Sequence, residues 1–214
     1  STACQACDAG SYCPAGAAAA LPCAGGTYSS ATTNGASSDC TAVDPGHFAP
    51  TGSTAQVACA KGTYTDASMA VKDSCTPCTA GSYQDAEAST ACQACDAGSY
   101  CPAGAAAPLP CPGGTHQDLA LNVMTSVEDC VICPVGTFCS VGSAEPSNCA
   151  PGTYNDQLNA STCVNCAAGT YQNEARSTAC KVCTPGYYCA EGSAAPLPCP
   201  GGTHKDFTLN VMTS

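Results

Sequence analysis

The sequence predicts a small disulfide-rich fold, mostly irregular with short β-hairpins, arranged as an elongated tandem-repeat rod without a large hydrophobic core. Three observations predict it. The chain of 214 residues holds 22 cysteines, the proportion that marks a disulfide scaffold. It holds only 22 Leu, Ile, Val and Phe in all, roughly half the share below which a chain lacks the apolar area for an ordinary core. The 44% hydrophobic content is carried by Ala and Cys, whose side chains bury little area each. Finally, the chain repeats itself at a fixed period, the signature of architectures built from stacked supersecondary units.

The largest repeat is 88 residues long. STACQACDAGSYCPAGAAAALPC at residues 1–23 recurs at 89–111 with Pro108 in place of Ala20, and recurs again from Ser177 as STACKVCTPGYYCAEGSAAPLPC. The chain therefore divides into super-repeat 1 (residues 1–88), super-repeat 2 (89–176) and a partial super-repeat 3 (177–214).

Within each full super-repeat a Cys-x-x-Gly-x-aromatic unit occurs five times, giving twelve units along the chain. In the short kind a Cys follows the aromatic directly, as in CDAGSYC (Cys7 to Cys13). In the long kind the second Cys arrives after a polar loop, as in CTAGSYQDAEASTAC (Cys78 to Cys92). The order is short, long, short, long, long. One unit, Val43 to Ala49 (VDPGHFA), aligns with Cys133 to Cys139 (CPVGTFC) and lacks both cysteines together.

Cysteines lost as a pair are read as bonded as a pair. If every unit closes on itself, the bridges are Cys7 to Cys13, Cys23 to Cys40, Cys59 to Cys75, Cys78 to Cys92, Cys95 to Cys101, Cys111 to Cys130, Cys133 to Cys139, Cys149 to Cys163, Cys166 to Cys180 and Cys183 to Cys189. Cys4 and Cys199 are then left for partners beyond the two ends, as in a segment of a longer array. A second scheme leaves no cysteine over. It joins Cys4 to Cys23, Cys40 to Cys59, Cys92 to Cys111, Cys130 to Cys149 and Cys180 to Cys199, but forces Cys75 to Cys78 and Cys163 to Cys166 into rings typical of redox sites. Spacing alone does not choose between the two.

The Gly of each unit is expected to turn the chain in a conformation closed to other residues. Ten of the twelve Tyr and Phe residues stand at the aromatic position, which reads as the miniature core of each unit, its ring over the bridge. Pro and Gly between units, as in Cys101-Pro102-Ala103-Gly104, discourage helices and favour turns.

The segments CTAGSYQDAEASTAC, CAPGTYNDQLNASTC and CAAGTYQNEARSTAC resemble the cysteine-rich repeats of ephrin-receptor-like and EGF-like extracellular proteins, and the first module type of tumour-necrosis-factor receptors. Long arrays of such repeats on an Ala, Gly, Ser and Thr background are similar to those of protist and algal surface proteins, including flagellar-hair (mastigoneme) proteins. The resemblance implies an extracellular disulfide-bonded module. Two departures stand out: the unit without cysteines at Val43 and Ala49, and Val127-Glu128-Asp129-Cys130, which lacks a calcium-binding acidic pattern.

Composition narrows the function. The net charge of −11, with only Lys61, Lys72, Lys181, Lys205 and Arg176 against 16 carboxylates, leaves no basic stripe to follow a phosphate backbone, so nucleic acid is excluded as a partner. Many cysteines in a core-poor chain indicate an oxidising compartment, hence an extracellular or cell-surface location. The most apolar stretch, Ala15 to Cys23, is short and interrupted by Pro22, so no membrane span is read in this segment. No catalytic set is found. His116 and His204 stand in aromatic positions and His47 precedes Phe48, so all three read as structural, and the chain as no enzyme. Cys75/Cys78 with Cys92/Cys95 have zinc-ribbon spacing, but bridges account for the same cysteines. No metal or cofactor is expected, and no calcium site can be named.

Asn159-Ala160-Ser161 is the one N-glycosylation acceptor, expected to be exposed in the loop of a long unit, and glycans are the expected modification. Leu119 to Met124 (LALNVM) and Phe207 to Met212 (FTLNVM) are the most apolar loops and recur 88 residues apart. They read either as local covers over a bridge or as contact patches for self-association. Together these features predict an extracellular structural protein that assembles into a surface filament such as a flagellar hair. The alternative is an adhesion or receptor ectodomain with the repeats as stalk or ligand-binding face.

Overall fold

The computed structural model describes residues 4–202 and divides into two compact units, residues 4–95 with 101–108, and residues 96–100 with 109–202. Each is a series of two-stranded antiparallel hairpins, eleven in all among the described residues. The first unit contains hairpins one to five: Ser11–Tyr12 with Leu21–Pro22, Thr27–Tyr28 with Thr41–Ala42, His47–Phe48 with Val57–Ala58, Thr63–Tyr64 with Thr76–Pro77, and Ser82–Tyr83 with Gln93–Ala94. The second contains hairpins six to eleven: Ser99–Tyr100 with Leu109–Pro110, Thr115–Gln117 with Cys130–Ile132, Thr137–Phe138 with Ser147–Asn148, Thr153–Tyr154 with Val164–Asn165, Thr170–Tyr171 with Lys181–Val182, and Tyr187–Tyr188 with Leu197–Pro198. Two short 3₁₀ turns, Ser37–Asp39 and Val127–Asp129, are the other regular elements. Among the described residues no helix is long and apolar enough to cross a membrane.

Each hairpin begins where its sequence unit does. In the fourth, the chain turns through Ala60-Lys61-Gly62-Thr63, closed by the Thr63 N–H donating to the Ala60 carbonyl at 3.1 Å. Gly62 has φ +81°, the positive angle that the third residue of a type II turn requires. The hydroxyl before the aromatic tightens the same turn: Thr63 Oγ1 donates to the Ala60 carbonyl at 2.7 Å, and Thr27, Ser82, Thr115, Thr137, Thr153 and Thr170 repeat this bond at 2.6–2.8 Å. The Ser or Thr in so many units is thereby explained as a second lock on the turn.

Within each unit, successive hairpins are joined by backbone hydrogen bonds. Gly62 N–H donates to the Gln84 carbonyl of hairpin five at 2.8 Å, and Gln84 N–H passes on to the Ala105 carbonyl at 3.1 Å. Gly104 N–H returns to the Cys78 carbonyl at 2.8 Å. The second unit repeats the scheme, with Gly136 N–H to Asn155 (2.8 Å), Asn155 N–H to Ser177 (3.0 Å) and Arg176 N–H to Cys149 (2.8 Å). Backbone groups that a helix or wide sheet would pair internally are here satisfied by the neighbouring hairpin.

Hairpins also touch the next but one. A Cβ placed on Gly62 would collide with the carbonyl oxygen of Gly104, two hairpins on, and lie 3.0 Å from its carbonyl carbon. Gly98 meets Gly142 in the same way, and Gly136 meets Arg176. Except where Gly26 meets Lys72, the residue on the far side of this contact is itself a turn residue of positive φ. It is Gly104 or Gly142 where the unit is short, and Ala88 (φ +53°), Asn159 (+61°) or Arg176 (+61°) where it is long.

The small disulfide-rich fold of short hairpins, with no large apolar core, is as the sequence predicts. Its interior is made of cysteines and short side chains: Cys23, Cys59, Cys101, Cys111, Cys133, Cys149, Cys166 and Ala49 are all fully buried. The aromatic rings do not form the expected miniature core. All ten Tyr and Phe of the repeat position are only half-buried. The strand directs the ring to the same face as its cross-strand partner, so Tyr12 lies opposite exposed Leu21 and Phe48 opposite exposed Val57. The following residue points inward instead.

Candidate functional site

The repeated buried slot after the aromatic is where the chain does its structural chemistry. In short units it holds the second cysteine of the bridge, Cys101, Cys139 or Cys189. In most of the other units it holds a buried polar residue, Ser29, Thr65, Gln84, Asn155 or Gln172, whereas hairpin three has Ala49 there and hairpin seven the half-buried Gln117. Ser29, Gln84, Asn155 and Gln172 hold the loop that the short units lack, and Thr65 reaches back to the preceding hairpin. Gln84 Nε2 donates to the Ala91 carbonyl at 2.5 Å while its Oε1 accepts from Ala86 N–H at 3.0 Å. Gln172 does the same with Ala179 (2.6 Å) and Glu174 (3.1 Å). Asn155 Nδ2 donates to Thr137 (2.6 Å) and Gln157 (2.9 Å), and Thr65 Oγ1 donates to His47 (2.9 Å). No buried side-chain nitrogen or oxygen lacks a partner among the described residues, so these amides contribute rather than cost.

These residues do not stand out in the sequence, because Ser, Thr, Gln and Asn share no letter. The available signal was positional: each directly follows the repeat aromatic and aligns with the second cysteine of a short unit.

The structure joins Cys7 with Cys13, Cys23 with Cys40, Cys59 with Cys75, Cys78 with Cys92, Cys95 with Cys101, Cys111 with Cys130, Cys133 with Cys139, Cys149 with Cys163, Cys166 with Cys180 and Cys183 with Cys189. Each bridge stays within one unit and encloses a sequence separation of 6 to 19 residues. Cys4 and Cys199 are free thiols. In the third hairpin, Val43 (4% exposed) and Ala49 (0%) fill the two positions that cysteines hold elsewhere, and the strands pair in the same register, His47 opposite Ala58 and Phe48 opposite Val57. The geometry of the unit is thus independent of its bridge.

Among the described residues no three His, Cys, Asp or Glu side chains converge as metal ligands. Cys75, Cys78, Cys92 and Cys95 are all engaged in bridges. His47 Nδ1 lies 3.3 Å from the Pro45 carbonyl, and His116 Nδ1 2.7 Å from the Gln117 carbonyl; His204 lies outside the described residues. Two shallow concavities among the described residues are open grooves. One, of about 390 Å³, is lined by Tyr64, Asp66, Thr79, Ser82, Thr90, Ala91 and Cys92. The other, of about 300 Å³, is lined by Leu119, Pro134, Thr137, Glu145, Pro146, Asn148 and Arg176.

Carboxylates brace the loops. Asp129 Oδ2 accepts from Thr125 N–H at 2.7 Å and Ser126 N–H at 3.1 Å, and these two backbone donors hold its carboxyl below its usual pKa. A Ser126 hydroxyl contact lowers that of Glu128, and the Ser68 hydroxyl and N–H lower that of Asp66. Asp39 serves hairpin two likewise, accepting from Gly35 (2.7 Å) and Ala36 (3.0 Å).

The apolar loop of residues 119–124 is split between the two readings of it. Met124 is buried, whereas Leu119, Leu121 and Val123 are 64%, 38% and 51% exposed. The matching loop from Phe207 to Met212 lies outside the described residues. Asn159 is exposed in the loop of hairpin nine.

Residues 152–194 match the family described as tyrosine-protein kinase ephrin type A/B receptor-like. The match runs from the turn glycine of hairpin nine into the loop of hairpin eleven, across bridges Cys166–Cys180 and Cys183–Cys189. No curated protein matches the chain. The chain is a cysteine-rich, disulfide-bonded repeat protein, and residues 152–194 are similar to that family.

Proposed function

We propose that the protein is an extracellular, non-catalytic structural protein whose repeats build a surface filament, of the kind found in flagellar hairs. Interchangeability of the units carries this reading. The hairpins share one turn and, with one exception, a backbone bond from the turn glycine to the next, whether the slot after the aromatic holds Cys, Ala, Thr or Gln; in hairpin six the Gly98 N–H goes to the Gln117 side chain instead. A chain of like units offers equal contacts at equal intervals, as symmetric assembly needs. Ten bridges indicate an oxidising, extracellular setting. The exposed Leu119, Leu121 and Val123 are the proposed lateral contact. A second reading, an adhesion or receptor ectodomain, is favoured by the ephrin-receptor-like match over residues 152–194.

Negative-stain microscopy of the secreted protein separates them. Filaments with a regular axial repeat that vanish in Leu121→Ser/Val123→Ser, with the disulfide map unchanged, support the filament. Dispersed particles at all concentrations, together with capture of a soluble ligand, support the ectodomain.

A further inference from the structure

We propose that Asn159 carries an N-linked oligosaccharide, and that it is attached before the loop around it locks onto the preceding hairpins. Asn159-Ala160-Ser161 is the chain's one acceptor tripeptide. In the fold, Asn159 and Ser161 are both exposed, with the Asn159 amide oxygen lying against the turn at Gly114. An N-linked sugar is added to the amide nitrogen and leaves in place the amide oxygen, the atom that lies against Gly114. The equivalent position in the next long unit is occupied by exposed Arg176, also at φ +61°. That seat in the fold accommodates a long side chain whose stem lies against the turn glycine two hairpins back while the residue stays exposed.

The backbone of the same tripeptide is not free. Asn159 N–H donates to the Cys133 carbonyl at 3.1 Å, and the Ala160 carbonyl accepts from Cys139 N–H at 3.0 Å. The Asn159 carbonyl is packed against Gly114 two hairpins back, and bridge Cys149–Cys163 closes a ring around the whole loop. A transferase must draw the tripeptide into its own cleft, with the Ser hydroxyl brought to the Asn amide. A backbone pinned at positive φ by two hydrogen bonds on a third chain segment cannot follow. The acceptor is thus open while hairpin nine is unclosed and shut once it docks on hairpins seven and eight.

The transfer itself is a substitution. Asn159 Nδ2 attacks the anomeric carbon of a lipid-pyrophosphate-linked oligosaccharide, the carbon–oxygen bond to phosphate breaks, the lipid pyrophosphate leaves, and one amide proton is lost to base. No redox partner is needed.

The test has two parts. The chain is secreted from a eukaryotic host, and its intact mass is measured before and after peptide-N-glycosidase. One N-glycan at position 159, absent in Ser161→Ala, is the expected result, and an unmodified mass in folded secreted protein overturns the proposal. Ser161→Ala leaves Asn159 in its left-handed seat, and Asn159→Gly keeps that seat without an acceptor, so both retain the fold. In the second part, unmodified oxidised protein from a bacterial host is given the transferase and lipid-linked oligosaccharide, alongside a reduced, unfolded sample. At least tenfold greater modification of the reduced chain is expected. Equal modification of the two overturns the ordering.

Discussion

The contact between a turn glycine and the hairpin two places on is the feature most open to measurement. Consider Gly62→Ala. At φ +81° an alanine costs about 1–2 kcal/mol from its own backbone. The added methyl would also meet the Gly104 carbonyl head-on and stand 3.4 Å from the Ala105 carbonyl carbon, so that segment must retreat by roughly 1 Å to restore ordinary contact. Such a shift stretches the Gly104 N–H bond to Cys78 (2.8 Å) and the Gln84 N–H bond to Ala105 (3.1 Å), each worth about 1 kcal/mol net. The total is about 3–4 kcal/mol. Gly104→Ala is the control: its φ is also positive, at +73°, but a Cβ there meets only Pro77 Cβ at 3.9 Å, leaving the backbone cost of about 1–2 kcal/mol alone. Guanidinium unfolding of the oxidised protein, with amide exchange read at Gln84 and Gly104, measures both. Gly62→Ala should lose at least 1.5 kcal/mol more than Gly104→Ala, by about the value of the two bonds, with faster exchange at both amides. Equal losses in the two variants would refute the interlock.

Other expectations follow from the slot, the bridges and the acidic braces. Gln84→Ala removes both bonds to its loop and should cost about 1–3 kcal/mol, with protease cutting appearing within residues 85–91; an unchanged midpoint and digest would count against the slot. Cys133→Val/Cys139→Ala copies the natural pair of the third hairpin and should lose about 2 kcal/mol of loop-closure stabilisation while nuclear Overhauser contacts keep Thr137 opposite Asn148; a shifted register would show that the bridge sets the geometry. Asp129 has a lowered folded pKa, so its stabilisation is complete above the ordinary value of 3.8 and is lost as pH falls through the lower folded value. The Thr125 and Ser126 amide signals should titrate with a midpoint below 3.8, and a midpoint at or above that value rejects the brace.

The local frame of this protein is legible because cysteine, glycine and aromatic residues each do one job at one spacing. Gly62 must turn the chain, and no other residue does so without strain. What the letters conceal is the inside. Ring and slot alternate on a strand, so the conspicuous residue, Tyr83, lies outward and half-exposed, and the inconspicuous Gln84 is buried. Its role depends on where the loop carbonyl of Ala91 falls, which is tertiary information. The contact two hairpins on is harder still to read. Its partners are Gly104 and Gly142 in one kind of unit and Ala88, Asn159 and Arg176 in the other, residues with nothing in common except a left-handed backbone.

The hairpin built on Val43 and Ala49 has a consequence under load. Every other hairpin lies wholly or partly inside a covalent ring, so tension applied to the chain bypasses most of its residues. Between Cys40 and Cys59 no ring intervenes, and residues 41–58 form the longest such stretch among the described residues. Pulled straight, they would pay out about 60 Å of contour before any sulfur–sulfur bond was strained. A protein stapled nearly throughout would then yield first, and reversibly, at one known place.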